Sequence, residues 1–479
     1  MNAQPESGIA RGALAVATGS AAAAAAAFAG RLVMARALSP AELGVLTLAI
    51  AIVSSLGGLA ALGTNASAAQ GVAAWRARGD LVRARDAGRA ALALAGTAGA
   101  IAALALAAGA AAALVAGKEI APMLLRLTPA AAAIAVGTAV LGISRGWGDV
   151  AGRAWVRDTG GGLLRLAGVI WGAARGAPQV ALGWAAGTVA SESLFFLWAR
   201  RRQFWTRRQA GLPGLRAQRP FALLSLLLQA AQWSDVLLLG ALAPSAAVGL
   251  YGVARGVGRV LEIAAESAGH RFLPAASGRA AQSGGLAIGP LYRRTRSLVA
   301  VLVWPVAAPF LIYPERLLGD LFGSAYAPAA APLRLLVAGL LVSVVCGYND
   351  KALLALERAS FVWRGLAAGV LAGGGVTLVL APRLGAAGAA WGYLAMQTVQ
   401  NGVWSWHTWR AGVPLWNGLP TLLLLAGVPV VIARLAVAVA GIDGLVAVGA
   451  IGLAAAAGAL VLLKREVWRT PASGAGQLA

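Results

Sequence analysis

Apolar runs of about 20 residues recur along the chain, separated by short segments rich in Arg, Gly and Pro. A helix of about 20 apolar residues crosses a bilayer with its backbone groups satisfied internally, so each run predicts a transmembrane helix. We predict about 14 spans, near residues 9–31, 41–63, 89–116, 121–144, 154–174, 179–199, 220–243, 247–273, 294–314, 329–353, 361–381, 385–409, 418–440 and 444–463. The pattern therefore indicates an all-α polytopic membrane protein without a sizeable soluble domain.

Composition and charge agree with this pattern and indicate an orientation. The chain has 479 residues, is 59% hydrophobic and 12% charged, and carries a formal net charge of +23. Such an excess occurs in nucleic-acid-binding proteins, but in a polytopic chain it is typical of basic cytoplasmic loops that meet anionic lipid. A cytoplasmic N-terminus places the following basic segments inside: 76–89, 145–157, 200–219, 271–296 and the C-terminal tail. We expect cytoplasmic termini, membrane lipids as partners and no nucleic acid.

Few residues suit catalysis or metal binding. The chain has a single cysteine, Cys346, and two histidines, which argues against an internal disulfide and against a Cys- or His-rich metal site. It contains no P-loop and no H-E-x-x-H motif. We therefore expect a protein that is not an enzyme and has no cofactor or metal, with any transport driven by an ion gradient, the membrane potential or downhill flux.

The predicted eighth span carries a stripe of polar and charged residues. Helical spacing places them within about one third of the circumference; they are Tyr251, Arg255, Arg259, Glu262, Glu266 and His270. Charges in hydrocarbon are costly and normally face a bundle interior or a watery cavity. Two arginines one turn apart suit a diphosphate, whereas the alternative is a self-neutralised helix with Arg259 paired to Glu262 or Glu266. For Glu266 we weigh ion coupling and gating equally.

Other spans also contain charged residues. Asp235, in the seventh span, is predicted to be a proton or cation site or else the partner of an arginine in the eighth span. Arg165, in the fifth span on the face of Asp158, is predicted to line a lumen. Glu192, in the sixth span, has a gating or ion-coupling role or reaches the cytoplasmic interface, and Arg31 is expected to be an interfacial anchor at the end of the first span.

An internal repeat divides the chain. The tract Ala37–Gly44 resembles Ala241–Gly249, and Gly183-Trp184 precedes Ala390-Trp391 by nearly the same offset. The offset covers six spans, so the two halves enter the membrane in the same orientation, as parallel repeats do. We predict an N-lobe at 1–199, a basic cytoplasmic linker at 200–219, a C-lobe at 220–409, and two further spans with a cytoplasmic tail at 410–479.

Several tracts resemble one family, the Wzx-type bacterial flippases of oligosaccharides, in the multidrug/oligosaccharidyl-lipid/polysaccharide exporter superfamily. They are RALSPAELG at Arg36–Gly44, DVLLLG at Asp235–Gly240 with VGLY at Val248–Tyr251, LFG at Leu321–Gly323, LRLL at Leu333–Leu336 and GAAGAA at Gly385–Ala390. Each tract is short, and their order and spacing carry the resemblance, which extends over most of the chain.

The resemblance implies an alternating-access flippase with two six-helix lobes and a cationic cavity. Its cargo would be an undecaprenyl-diphosphate-linked oligosaccharide, moved from the cytoplasmic to the periplasmic leaflet of the bacterial inner membrane for cell-surface polysaccharide. Arg255, Arg259, Arg165 and Tyr251 would line the cavity, while Asp235, Glu262, Glu266 and Glu192 are candidates for gating or for coupling to H⁺ or Na⁺. A lipid II flippase and a cation-coupled multidrug exporter share the fold and stay open, and a membrane glycan polymerase or ligase is the alternative from another class.

Overall fold

The described part of the chain is helical throughout. The computed structural model describes residues 6–149, 152–205 and 215–415. The predicted spans near 418–440 and 444–463, and the tail, lie outside these residues. In the described part there are no strands, and seven helical segments are long and apolar enough to cross a membrane. The chain is thus an all-α, multi-pass membrane protein, and a total of about 14 spans stays a prediction.

The helices follow one another with short connections. In chain order they are α1 Glu6–Ala37, α2 Pro40–Ala60, α3 Thr64–Ala77, α4 Leu81–Val115, α5 Ala121–Trp147, a π-helix Gly152–Gly160, α6 Gly161–Ala173, α7 Ala177–Arg201, α8 Leu215–Leu242, α9 Ser245–Ile312, α10 Pro314–Phe322, a 3₁₀-helix Ser324–Ala329, α11 Ala330–Cys346, α12 Asn349–Ala355, α13 Ala359–Leu384 and α14 Ala386–Arg410.

The start of α2 is encoded locally. Ser39 accepts a hydrogen bond from the backbone N–H of Glu42 (3.3 Å), and the Glu42 carboxylate accepts one from the Ser39 backbone N–H (2.9 Å). This capping box, with Pro40 as the first helical residue, satisfies orphan backbone donors and sets φ for the first turn. The helix ends before Gly63, whose φ of +75° favours glycine.

Two predicted connections between spans are helical. The hydropathy pattern predicts a cytoplasmic connection at 271–296 between two spans, and the backbone of this segment is helical within α9, Ser245–Ile312. The chain reverses direction there, because the rings of Phe272 and Tyr292 lie 6.0 Å apart, whereas twenty residues of straight helix would separate them by about 30 Å. Its Ala, Leu and Arg residues are strong helix formers, so the backbone stays helical where the hydropathy falls. Gly284 has a φ of +65° within this long helix. Likewise, α3 and the first turns of α4 occupy the predicted loop between the second and third spans.

The chain forms two compact units. The first comprises Met1–Val260, Leu321–Pro332 and Gly374–Gly392, and the second comprises Leu261–Asp320, Leu333–Gly373 and Tyr393–Ala479. The division into an N-lobe at 1–199 and a C-lobe at 220–409 stays a prediction, and residues 206–214 of the proposed linker lie outside the described ranges.

In the first unit, glycines bring helices into backbone contact. A Cβ on Gly44 in α2 would overlap the carbonyl of Ser245, and a Cβ on Gly249 in α9 would overlap the carbonyl of Pro40. Small residues at such crossings allow the close approach that drives helix association in lipid. The crossing places the first turns of α9 directly against α2.

A row of polar side chains fixes α8 to α2 and α3. Gln218 donates to the Ser67 hydroxyl (2.8 Å), Ser225 to the Gly58 carbonyl (3.3 Å), and Gln229 to the Ser54 carbonyl (3.2 Å). Between helices in lipid, each such bond contributes about 0.6 kcal/mol on average. The row fixes the face of α8 that packs against α2 and α3.

Candidate functional site

Asp235 is the centre of a buried polar cluster in the first unit. Its Oδ2 accepts a hydrogen bond from the Tyr251 hydroxyl at 2.6 Å and lies 3.2 Å from Nε of Arg255. Tyr251 is fully buried, and the Asp235 side chain is 10% exposed. Arg255 is thus within ion-pair distance of Asp235. The salt bridge to an arginine of the eighth span, which the sequence offered as one alternative for Asp235, is therefore present.

Arg31 joins this cluster from α1. Its Nη1 donates to the backbone carbonyl of Gly252, and its side chain lies against Gly256, where a Cβ would overlap it. Its charge acts on that of Arg255. The prediction of an interfacial anchor is therefore wrong. The Gly252 carbonyl, and the space beside Gly256, which has no Cβ, hold the Arg31 side chain against α9. We call Arg31, Asp235, Tyr251 and Arg255 the Asp235 cluster.

Asp235 lies on a segment of α8, Gln218–Leu242, that is long and apolar enough to cross a membrane. Arg255 follows the start of α9 by about ten residues, which is about 15 Å along a helix. The groups come from three helices, α1, α8 and α9. Ionisable groups at such a depth mark sites of transport or coupling, because hydrocarbon does not solvate them. The arrangement can bind an anion through guanidinium groups and can exchange a proton or cation at Asp235.

The rest of the predicted stripe is only partly described. Arg259 is exposed on α9, one turn beyond Arg255. Glu262, in the second unit, accepts a hydrogen bond from Tyr393 at 2.6 Å. The side chains of Glu266 and His270 lie outside the described residues. The roles of Arg259, Glu262 and Glu266 stay predictions.

A second charged cluster lies on the π-helix, α6 and α7. Arg157 binds the Glu192 carboxylate through two hydrogen bonds of 3.3 Å, and Nε of Arg153 lies 3.6 Å from Asp158. The Glu192 side chain is 6% exposed. We call these neighbouring charged residues, together with the serine that Arg165 contacts, the Glu192 cluster. It comprises Arg145, Arg153, Arg157, Asp158, Arg165, Ser191 and Glu192.

Arg165 enters this cluster through tight packing of α6 on α7. Its Nη1 donates to the Ser191 hydroxyl at 3.3 Å. A Cβ on Gly161 would overlap that hydroxyl, and a Cβ on Gly137 would overlap the Glu192 carboxylate. The predicted proximity of Arg165 to Asp158 holds electrostatically, and Glu192 points to Arg157 inside the unit. Whether Arg165 contacts substrate stays a prediction.

The second unit contains a network that the sequence analysis missed. Gln397 donates to the Tyr393 hydroxyl (2.7 Å), Asn401 to the Gln397 carbonyl (2.8 Å), and Asn349 to the Ser405 hydroxyl (3.0 Å). All except Gln397 are less than about a tenth exposed. The polar residues of α14 recur every three to four positions, so helical spacing was the signal that could have revealed this face.

The described residues offer no metal site or hydrolase centre. No group of three or more His, Cys, Asp or Glu that could hold a metal occurs in them. The tract Gly142–Gly146 has the G-x-S-x-G spacing of a nucleophile elbow. However, it lies within α5, and Ser144 is fully buried and donates to Asp149 at 3.1 Å. An elbow needs an exposed serine at a strand-to-helix turn, so this tract carries no such site.

Comparisons with known proteins agree with the fold. The chain matches the family described as polysaccharide biosynthesis protein over residues 9–274. Its fold is similar to that of the lipid II flippase MurJ in an inward closed conformation, with a TM-score of 0.71 and 11% identity over 93% of this chain and 98% of that one.

Two further solved structures are similar. An inward-facing multidrug resistance MATE family transporter of the MOP superfamily has a TM-score of 0.67 and 16% identity, covering 82% of this chain and 94% of that one. A MOP superfamily transporter from Pyrococcus furiosus, described as having a binding pocket of reverse polarity, has a TM-score of 0.54 and 16% identity over 85% and 96% of the two chains. No curated protein matches the chain.

Proposed function

Since the chain belongs to the polysaccharide biosynthesis protein family and has the fold of MOP-superfamily transporters, we propose that it is a flippase for a lipid-diphosphate-linked oligosaccharide. It moves the cargo across the bacterial cytoplasmic membrane by alternating access, without chemical change, for cell-surface polysaccharide. Undecaprenyl diphosphate is the lipid carrier, and both termini face the cytoplasm. Two six-helix lobes provide the alternating access.

The Asp235 cluster is the observation that carries this proposal. Two guanidinium groups from different helices, those of Arg31 and Arg255, lie side by side at depth in a membrane protein. Guanidinium groups bind phosphate oxygens through paired, charge-assisted hydrogen bonds. A diphosphate is the part of the cargo that hydrocarbon excludes, so it needs such donors while the lipid tail stays in the bilayer. Arg259 and Arg165 supply further positive charge along the path.

The pairing of Asp235 with Arg255 suggests how an ion is coupled to transport. A diphosphate that binds Arg255 competes with the carboxylate at 3.2 Å. When Arg255 turns to the phosphate, Asp235 loses a counter-charge and is stabilised by taking up a proton or a cation such as Na⁺. Cargo binding and ion binding are thereby linked, and each favours the other. Tyr251 holds the carboxylate in place during the exchange.

The related functions differ in the group they recognise. A lipid II flippase would use the same diphosphate chemistry with a different glycan. A multidrug exporter would favour acidic and aromatic groups for cationic drugs, whereas two arginines converge in the Asp235 cluster. A glycan polymerase or ligase needs a large extracellular loop, and the predicted outer loop at 313–328 is occupied by the short α10 and the 3₁₀-helix.

Reconstituted leaflet exchange tests the proposal. Proteoliposomes carry a fluorescent lipid-diphosphate oligosaccharide, and exchange is followed by quenching from one side with and without a pH or Na⁺ gradient. Arg255→Gln is expected to lower the rate at least about tenfold, since one charge-assisted phosphate contact is lost. Arg175→Gln is the matched control, because Arg175 is exposed and its side chain contacts the carbonyl and ring of Trp171, away from both clusters.

The outcomes separate the alternatives. Loss of exchange with Arg255→Gln, and normal exchange with Arg175→Gln at equal insertion, supports the cluster as the diphosphate site. Equal exchange in both variants removes the cluster from the mechanism. Transport of a lipophilic cation by the wild type, with no movement of the lipid-linked sugar under any gradient, would favour the multidrug exporter instead.

A further inference from the structure

The Glu192 cluster contains more positive than negative charge. Its charged groups act on one another, and they are Arg145, Arg153, Arg157, Arg165, Asp158 and Glu192. Four cations therefore face two carboxylates in this part of the described chain. Asp149 is a further carboxylate nearby in sequence, outside this set, and its oxygens accept bonds from two neutral donors, Ser144 (3.1 Å) and the Gly152 N–H (3.2 Å). The cluster has a surplus of two positive charges among the described residues.

Two arginines of the cluster have only long or neutral partners. Nε of Arg153 is buried and makes no hydrogen bond in the described structure, and its ion-pair partner, Oδ2 of Asp158, lies 3.6 Å away. Arg165 makes one hydrogen bond there, to the neutral hydroxyl of Ser191 at 3.3 Å. A buried donor without a partner costs about 1–3 kcal/mol. These donors are therefore suited to an acceptor with charge, such as a phosphate oxygen.

The backbone gives the cluster a defined shape and access. Arg153 and Arg157 are on a nine-residue π-helix, a rare conformation that is frequent at functional sites. Their side chains are 28% and 22% exposed, so the cluster is reachable. In α5 and α6, Gly137 and Gly161 leave room for Glu192 and Ser191. Glu192 fixes Arg157, and Arg165 stays beside Ser191.

Helix α1 joins the two clusters. Gly19 packs against Ala154 of the π-helix, and its carbonyl accepts a hydrogen bond from Thr159 at 3.4 Å. Farther along the same helix, Arg31 is part of the Asp235 cluster. The separation along α1 is about 18 Å, at 1.5 Å per residue. With a cytoplasmic N-terminus, the Glu192 cluster lies on the cytoplasmic side of the Asp235 cluster.

We propose that the Glu192 cluster is a second anion-binding site, which holds the cargo's diphosphate on the cytoplasmic side before it reaches the Asp235 cluster. The inference rests on the proposed flippase function. Arg153 and Arg165 are the binding groups, Ser191 and the Arg157–Glu192 pair are positioning groups, and a doubly charged phosphate group neutralises the surplus. The shared chemistry is that of a phosphate headgroup, whether it belongs to the cargo or to an anionic membrane lipid.

Binding of inorganic pyrophosphate to the purified full-length protein in detergent tests the site. Each of Arg153→Gln and Arg165→Gln is expected to weaken binding at this site about tenfold, and Arg165→Lys, which keeps the charge, is expected to retain most of it. Arg175→Gln is the control for charge alone. All titrations are repeated with Arg255→Gln in the background, so that binding at the Asp235 cluster does not mask the effect.

Competition identifies the source of the phosphate. In nanodiscs, undecaprenyl diphosphate is expected to displace pyrophosphate from the protein, and phosphatidylglycerol is not. Unchanged pyrophosphate affinity in both Arg153→Gln and Arg165→Gln overturns the site. Displacement by phosphatidylglycerol alone overturns its assignment to the cargo. Neither result alters the leaflet-exchange experiment on Arg255, so failure of this inference is distinguishable from failure of the proposed function.

Discussion

The ion pair between Asp235 and Arg255 allows a quantitative prediction. Arg255→Gln leaves a carboxylate that is 10% exposed without the cation 3.2 Å away. Asp235→Asn leaves the Arg255 and Arg31 guanidinium groups side by side without that carboxylate. Removing one partner of a buried ion pair costs about 3–5 kcal/mol. Each single substitution is therefore expected to lower the free energy of unfolding by about that amount.

The double variant distinguishes the pair from its surroundings. With Asp235→Asn and Arg255→Gln combined, both charges of the pair are removed, so neither is left in the apolar interior without its partner. The loss is therefore expected to be smaller than the sum of the two single losses, with a coupling of about 0.5–3 kcal/mol. Tyr251 keeps a hydrogen-bond acceptor in the side-chain oxygen of the introduced asparagine, so the cluster's packing is preserved.

Urea titration of the purified protein in detergent measures these energies through tryptophan fluorescence. The chain has 16 tryptophans, and none of the substitutions alters one. A thermodynamic cycle over the wild type, both single variants and the double variant gives the coupling. Strict additivity, with a coupling near zero, would refute the reasoning, because the two groups would then not stabilise each other. Single losses below about 1 kcal/mol would place the pair in water-like surroundings.

Three further predictions concern stability. Gly44→Ala is expected to lower Tm, because the added Cβ would overlap the Ser245 carbonyl. Gly109→Ala in α4 has open space around the added Cβ and is expected to raise Tm. Equal shifts in the two variants would contradict this. Tyr393→Phe removes bonds of 2.6 and 2.7 Å and should cost about 1.5–3 kcal/mol in urea titration; no loss would contradict it. Glu315→Gln should cost at most about 1 kcal/mol above pH 6, since the pair with Arg334 is exposed, and nothing at acid pH.

The pH dependence of the last prediction follows from the Glu315 pKa. Desolvation raises the pKa of Glu315, but hydrogen bonds from Arg334 and from its own backbone, with the arginine's charge, outweigh it and hold the pKa below its usual value. A depressed pKa in the folded state gives stability above the unfolded-state pKa, and that stability disappears as pH falls through the folded-state pKa. A larger effect of Glu315→Gln at acid pH than at neutral pH would contradict this assignment.

Helices were more predictable than their connections. The apolar runs that became α4, α5, α7 and α8 predicted these helices because length and hydropathy together determine insertion in a bilayer. The helical backbone of the connection at 271–296 was not predicted, since hydropathy reports contact with lipid and says little about the backbone. Alanine, leucine and arginine favour a helix in either solvent. The short α10 and the π conformation of Gly152–Gly160 were not predicted.

The candidate site was predictable within one helix and much less so between helices. Tyr251 and Arg255 are four residues apart, so their common face followed from helical geometry alone. The pairing of Arg255 with Asp235 was one of two alternatives for Asp235. It could be considered because the seventh and eighth spans are adjacent in sequence. Arg31 comes from a distant helix, and no local pattern reveals that its partner is a backbone carbonyl of Gly252.

The contact between Gly44 and Gly249 bears on how a chain of this kind arose. These are matching positions of the predicted internal repeat. A Cβ on Gly44 would overlap Ser245, four positions before Gly249, and a Cβ on Gly249 would overlap Pro40, four positions before Gly44. Such reciprocity is the property of a two-fold interface, in which one patch meets a copy of itself. A half-length ancestor would have met its own twin at this glycine. Gene fusion would then have turned an intermolecular contact into an internal one. The sequences around the two glycines could then change, while the close contact still required a small residue at both positions.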